Sequence, residues 1–232
     1  MLLAASTVLA PGASDCELLR PGWLAQPANT ISSFAFVIAG VVVAVMVSRS
    51  GAWRARSLVY AGCLVAIGLG SVAYHGPQPP GAELVHDLSI DYVLALIALH
   101  DLSLLRPRFR RVVASFVISA LTLSTAAVLV PVLAALAADV LIPLVIFAEV
   151  LVYRGGQRPQ AKAEQQQLVA IIVLSMIIAG GLFARGRTGS SLCDPTSLLQ
   201  LHAGWHIAAA VVFVLWWRLA LVRAPSSFPA AS

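Results

Sequence analysis

The segment LHAGWH holds two histidines at a spacing that a helix can use to bind a metal. His202 and His206 are at positions i and i+4, so both imidazoles project from one helix face. A third imidazole, from His75, would complete a site with three nitrogen ligands. Zinc held by three protein nitrogens keeps a fourth position for water, which is the arrangement of a catalytic site. We therefore predict His202 and His206, from their spacing, and His75, as the third imidazole, to be zinc ligands.

Two further polar residues have the chemistry that such a site needs. Asp87 has a carboxylate that could take the proton from a zinc-bound water as general base. Ser71 lies four residues before His75 on the same helix face. Its hydroxyl could donate to a developing oxyanion or orient the His75 ring. We therefore expect Asp87 and Ser71 to be the catalytic residues.

Each of these residues also has an ordinary structural explanation. An isolated pair of histidines at this spacing is weak evidence for a metal, and histidines near a bilayer surface often face headgroups and water. Asp87 and Asp91 could simply complement the positive end of a helix dipole. His86, beside Asp87, is a rival metal ligand. Whether these residues form a metal site or have separate structural roles depends on whether the chain brings their side chains together.

The composition indicates that membrane-spanning helices carry these residues. The 232 residues are 59% hydrophobic and only 11% charged, and the mean hydropathy is +0.90. A soluble domain usually carries about 25% charged residues, so this chain cannot cover its surface with polar groups. The same deficit excludes a disordered chain, a coiled coil and a nucleic-acid-binding domain.

Seven apolar stretches are long enough to cross a bilayer, which takes about 20 residues in a helix. The boundary between the fourth and the fifth rests on Pro131. We expect an all-α membrane protein with an N-terminal segment over 1–29, a seven-helix domain over 30–223 and a tail over 224–232. The predicted spans are roughly 30–48, 57–75, 84–105, 112–130, 132–153, 165–184 and 198–222.

The 15 basic residues are divided unequally between the two ends of these spans. One side holds only Arg20, Arg185 and Arg187. Since basic residues favour the cytoplasmic side, we expect the N-terminus outside and the C-terminus in the cytoplasm. The net charge of +5 then reflects topology and not a nucleic-acid partner. The cytoplasmic set is Arg49, Arg54, Arg56, Arg106, Arg108, Arg110, Arg111, Arg154, Arg158, Lys162, Arg218 and Arg223.

This topology places the candidate site residues at one depth. His75 ends the second span, Asp87 lies near the start of the third, and His202 and His206 lie near the start of the seventh. Ionisable groups in a membrane are costly, so each needs a partner or a function. Their common depth near the outer side favours a single functional site. It also disfavours an ion or proton transporter, which would need polar groups across both leaflets.

Three segments carry a family resemblance: GLGSVAYHG, ELVHDLSID and LQLHAGWHI. Together they resemble the alkaline ceramidases and their wider superfamily of seven-helix membrane hydrolases, which includes the progestin and adiponectin receptors. The stretch DCELLRPGWLAQPANTISSF is also similar to the ceramidase pattern of Cys-Glu followed by Asn-Thr-x-Ser. The resemblance extends from about residue 15 to residue 222.

The resemblance implies a zinc-dependent amidase that cleaves a ceramide-like membrane lipid to a sphingoid base and a fatty acid. By position, His75, His202 and His206 would hold the zinc, Asp87 would contact the zinc-bound water, and Ser71 would help to stabilise the oxyanion. The alternative is a receptor or regulatory protein that keeps the zinc site with little turnover.

The segment between His75 and the third span departs from the family pattern. Asp87 lies one residue later than the usual ceramidase spacing, at which His86 falls. A one-residue insertion in the Pro-rich loop explains the shift. The base could nevertheless be Asp91 or His86.

The residues that would bind calcium are the second departure from the family pattern. Animal members bind it with acidic residues around the Cys-Glu motif. This chain keeps Asp15 and Glu17, but Gln26 and leucines replace other expected oxygen ligands. Because calcium prefers several carboxylate or carbonyl oxygens, we do not expect it here.

Three remaining features concern compartment and packing. Cys16 and Cys193 both fall on the outer side, where we favour a disulfide between them over two unrelated thiols. His100 and Asp101, toward the cytoplasmic end of the third span, are interpreted as packing or interface residues. Glu149, in the fifth span, has no obvious partner. The Ala-, Val-, Leu- and Arg-rich composition hints at a bacterial plasma membrane.

Overall fold

The computed structural model describes residues 10–50, 54–106, 111–155 and 162–223, and most of these residues are helical. All seven helices are long and apolar enough to cross a membrane, which confirms the predicted all-α fold with seven spans. The predicted tail over 224–232 lies outside the described residues. The helices are α1 (Pro27–Ser50), α2 (Arg54–His75), α3 (Ala82–Leu105), α4 (Val112–Leu129), α5 (Val132–Arg154), α6 (Lys162–Arg185) and α7 (Leu201–Arg223).

Prolines mark two of the helix boundaries. The first helix begins at Pro27, where a residue without an N–H loses nothing, because the first N–H groups of a helix have no partner in it. The sequence had placed this start near residue 30. Between α4 and α5 the break falls at Pro131, as predicted, since α4 ends at Leu129 and α5 begins at Val132.

The histidine-bearing helices form the best-buried part of the bundle. Helix α1 packs against α2 and α7, and α2 packs against α3. Their shared core is built around large buried side chains that include Phe36, Tyr60, Leu64 and Trp217. Helices α4, α5 and α6 instead leave many large apolar side chains exposed, and such surfaces suit contact with lipid.

The segment before α1 is fastened to the loop between α6 and α7. The predicted disulfide between Cys16 and Cys193 is present. Asp15 and Arg187 form an antiparallel β-bridge, and the Cys16 N–H donates to the Gly186 carbonyl oxygen at 2.8 Å. This segment therefore lies at the end of the bundle where α2 finishes and α7 begins.

The opposite end of the bundle holds a second polar cluster around Glu149, a residue for which the sequence shows no obvious partner. Glu149 on α5 accepts hydrogen bonds from the Trp216 Nε1–H and from Arg223 Nη1, the latter at 2.7 Å. Glu149, for which the sequence indicated no obvious partner, thus has two, and both lie on α7, far away in sequence. His100 and Asp101 are also buried at this end.

The substitution Glu149→Gln tests what this ion pair contributes. The Arg223 side chain is only 7% exposed, so loss of the Glu149 carboxylate removes the ion-pair partner of a buried cation. We expect the free energy of unfolding to fall by about 3–5 kcal/mol, measured by denaturant titration in detergent.

Glu164→Gln is the matched control, because the Glu164–Arg218 pair is 50% and 57% exposed. Its effect should stay below about 1 kcal/mol. Equal losses in the two variants would contradict this account of the Glu149 pair.

Candidate metal centre

Three buried imidazoles meet where α2 ends and α7 begins. One possible ligand atom from each of His75, His202 and His206 lies within 4.8 Å of the others. The ring centroids are 5.2 Å apart for His75 and His202, 5.1 Å for His75 and His206, and 4.7 Å for His202 and His206. The structure therefore brings together the three histidines that the sequence predicted as ligands.

The His75 ring is oriented by the amide of Gln26. Gln26 Nε2 donates to the carbonyl oxygens of Gly12 and Glu17, at 2.9 and 2.8 Å. Gln26 Oε1, which can only accept, lies 2.7 Å from His75 Nδ1. The Nδ1 atom of His75 must therefore carry the proton, and Nε2 presents a lone pair.

The same reasoning applies to His206. The Ser32 hydroxyl donates to the Asn29 carbonyl oxygen at 3.0 Å, so its single proton is already used. Ser32 Oγ lies 2.8 Å from His206 Nδ1 and, with that donation in place, acts there as the acceptor. In this arrangement His206 has its proton on Nδ1 and a lone pair on Nε2, which is the form that a metal ligand needs.

These lone pairs make the cluster suitable for a metal ion. The Nε2 atoms of His75 and His206 are buried and have no hydrogen-bond partner among the described residues. A buried acceptor without a partner costs about 1–3 kcal/mol, and a cation between the rings would remove that cost. Three imidazole nitrogens suit zinc among other transition metals, so the residues present fit the implied ion.

His202 has a carboxylate beside it that the sequence had not assigned to the site. Asp15 Oδ1 lies 3.3 Å from His202 Nδ1, and Asp15 Oδ2 lies 3.9 Å from His75 Nδ1. Arg187 Nη1 donates to Asp15 Oδ1 at 3.1 Å. Burial raises the pKa of the Asp15 carboxyl to about 6, and the Arg187 guanidinium opposes this shift.

Ser71 is close to the cluster but its hydroxyl is engaged elsewhere. Ser71 Oγ lies 2.8 Å from Ser33 Oγ on α1, and Ser33 Oγ is in turn 2.7 Å from the Asn29 carbonyl oxygen. The Ser71 hydroxyl is thus hydrogen-bonded to α1. An oxyanion-binding role, which remains a prediction, would require this hydroxyl to turn away from Ser33.

The predicted base Asp87 contacts a histidine that is not in the cluster. Asp87 Oδ1 accepts from His86 Nδ1 at 2.9 Å, and the His86 ring centroid is 6.2 Å from that of His75. Asp91, one turn further along α3, is fully buried, and neither of its oxygens has a hydrogen-bond partner in the described part of the chain. Which of the three groups acts as base stays a prediction.

Sequence reasoning missed the side chains that orient the rings. The available signal was the polar stretch at the start of α1, where Gln26 precedes the helix and Asn29 and Ser32 follow at steps of three residues, ahead of an apolar span. Glu17 has a different role: its carboxylate accepts the N–H groups of Ala28 and Asn29, both at 2.8 Å, and so caps α1. The expectation that this chain does not bind calcium stays a prediction.

Seven apolar helices around three buried histidines define a membrane protein with a candidate metal site. The family model of the ceramidases matches residues 22–227, which is most of the chain. The protein therefore belongs to the Ceramidase family, as its motifs had suggested. No curated protein matches the sequence.

Metal analysis of histidine variants tests which imidazoles are ligands. We expect the purified protein to hold about one zinc ion per chain, and His75→Ala, His202→Ala or His206→Ala to lose it, because each removes one of three ligands. His86→Ala should keep the metal, and so should His100→Ala, whose ring is equally buried but lies at the other end of the bundle. Loss of zinc in His86→Ala would make His86 a ligand.

Proposed function

We propose that the protein is a zinc-dependent amidase that hydrolyses the amide bond of ceramide-like N-acyl lipids to a sphingoid base, or another amine, and a fatty acid. One observation carries the proposal: in a member of the Ceramidase family, the three histidines converge, and two of them present unpartnered Nε2 atoms. The burial of this cluster among spanning helices suits a substrate that arrives from a membrane.

His75, His202 and His206 would hold the ion, which when bound supplies a Lewis acid and an activated water. Gln26 and Ser32 keep two of these rings in the required tautomer. That preorganisation means that the rings do not have to reorient when the ion binds or during reaction.

The proton steps need a base that later acts as an acid. We assign this role to Asp87, whose carboxylate is paired with His86. It would take the proton from the attacking water and return it to the leaving amine nitrogen. Ser71 would donate to the carbonyl oxygen as negative charge develops there, once its hydroxyl leaves Ser33.

The proposed orientation places the site on the extracytoplasmic side of a bacterial plasma membrane. The excess of basic residues at the other end of the spans supports an outer N-terminal segment over 1–29, a domain over 30–223 and a cytoplasmic tail over 224–232. The Cys16–Cys193 disulfide also supports it, because disulfides persist in oxidising compartments.

An assay of N-acyl sphingoid hydrolysis in detergent tests the reaction directly. Wild type should release fatty acid, and His202→Ala should lose at least about 100-fold in kcat/KM, because the activated water depends on the metal. His100→Ala serves as the control with a distant buried histidine and should stay active. Stoichiometric zinc without hydrolysis of any N-acyl lipid would favour the receptor-like alternative.

Isosteric variants separate the candidate bases. Asp87→Asn should lower kcat by about 100- to 10,000-fold, the usual contribution of a general acid or base, while its zinc content stays that of the wild type. Asp91→Asn should retain most of the activity. The reverse result would transfer the role to Asp91, and loss of activity in His86→Gln alone would transfer it to His86.

A further inference from the structure

The N-terminal segment contributes a residue to the metal centre that the proposed reaction does not use. We propose that Asp15 is a positioning residue, whose carboxylate holds His202 in the orientation and tautomer that a metal ligand needs. This inference rests on the metal site proposed above, but it does not depend on which reaction the site performs.

The three histidines differ in how their Nδ1 atoms are held. The Nδ1 atom of His75 bonds to Gln26, and that of His206 bonds to Ser32. The Nδ1 atom of His202 is buried and makes no hydrogen bond to a described residue. The nearby carboxylate oxygen that can serve it belongs to Asp15, at 3.3 Å.

A carboxylate at this position selects one form of the ring. Because an ionised carboxylate only accepts hydrogen bonds, it requires the proton on Nδ1 of His202 and leaves the lone pair on Nε2. That is the tautomer already deduced for His75 and His206. Asp15 would thus give the third ligand the same electronic form as the other two.

Charge is a second reason to assign this role to a carboxylate. Three neutral imidazoles do not compensate a divalent cation, and Asp15 is only 4% exposed, so solvent screens its charge poorly. Arg187 offsets part of this charge, but the Arg187 side chain is 41% exposed and better screened by water. The carboxylate therefore favours the metal-bound state.

Several contacts fix the backbone that carries the Asp15 side chain. The next residue, Cys16, is bonded to Cys193 in the loop that leads into α7. The Thr188 hydroxyl donates to the Asp15 carbonyl oxygen at 3.0 Å, and the Thr188 N–H donates to the Ser14 carbonyl oxygen at 2.9 Å. The backbone of Asp15 is thus fixed to the segment that precedes His202, which is what a positioning residue requires.

Zinc affinity and cobalt spectroscopy of Asp15 variants test this role. Asp15→Ala should weaken zinc binding by about 10- to 100-fold in a chelator competition, the range found for side chains that orient metal ligands. Asp15→Asn keeps an oxygen acceptor without the charge and should fall between Asp15→Ala and wild type. The visible absorption of the Co²⁺-substituted protein should also change, because the His202 ligand is reoriented.

Asp194→Ala is the matched control, since Asp194 is an exposed carboxylate next to Cys193; it should leave affinity and spectrum unchanged. Wild-type affinity in Asp15→Ala would overturn the inference. So would weaker binding with an unchanged cobalt spectrum and a lower melting temperature of the metal-free protein, because that combination indicates a purely structural role.

Asp15→Asn provides the readout if Asp15→Ala does not fold. A wild-type protein that binds no zinc would refute the metal site itself, and the inference with it. A protein that binds zinc, responds to Asp15 substitution and hydrolyses no lipid would leave the inference standing and refute only the amidase function.

Discussion

The Gln26 side chain joins the two parts of the molecule on which the candidate site depends. It is fully buried, its amide N–H groups bind carbonyl oxygens of the N-terminal segment, and its amide oxygen accepts from His75. A buried polar group must find partners, and here the same partners fix the tautomer of a proposed metal ligand. The fold of the segment and the chemistry of the site are therefore set by one hydrogen-bond network.

The bilayer gives this network its significance. A chain with so few charged residues has little polar material to place among its helices, so polar side chains that are buried together need a reason. At one end of the bundle the reason is electrostatic pairing, between Glu149 and Arg223. At the other end three imidazoles converge, and the Nε2 atoms of His75 and His206 have no partner in the described chain. That convergence of possible ligand atoms marks the second cluster as a candidate metal site.

The sequence predicted the spans and the three histidines but not the groups that orient them. Length and apolarity determine a spanning helix locally, and an i, i+4 spacing determines which side chains share a face, so both could be inferred without a structure. The contact between Asp15 and His202 depends on how a loop folds across the bundle, over a separation in sequence that periodicity does not address. The partners of Glu149 were not predicted for the same reason, since they lie on α7.

The central claim is that His75, His202 and His206 coordinate a zinc ion through ring nitrogens. X-ray absorption at the zinc edge of the purified wild-type protein tests it most directly. The account predicts three nitrogen ligands at about 2.0–2.1 Å and a fourth, oxygen ligand from water, with the outer-shell scattering that imidazole rings produce. A zinc ion bound by sulfur, one bound by oxygen alone, or a protein that carries no zinc would contradict it.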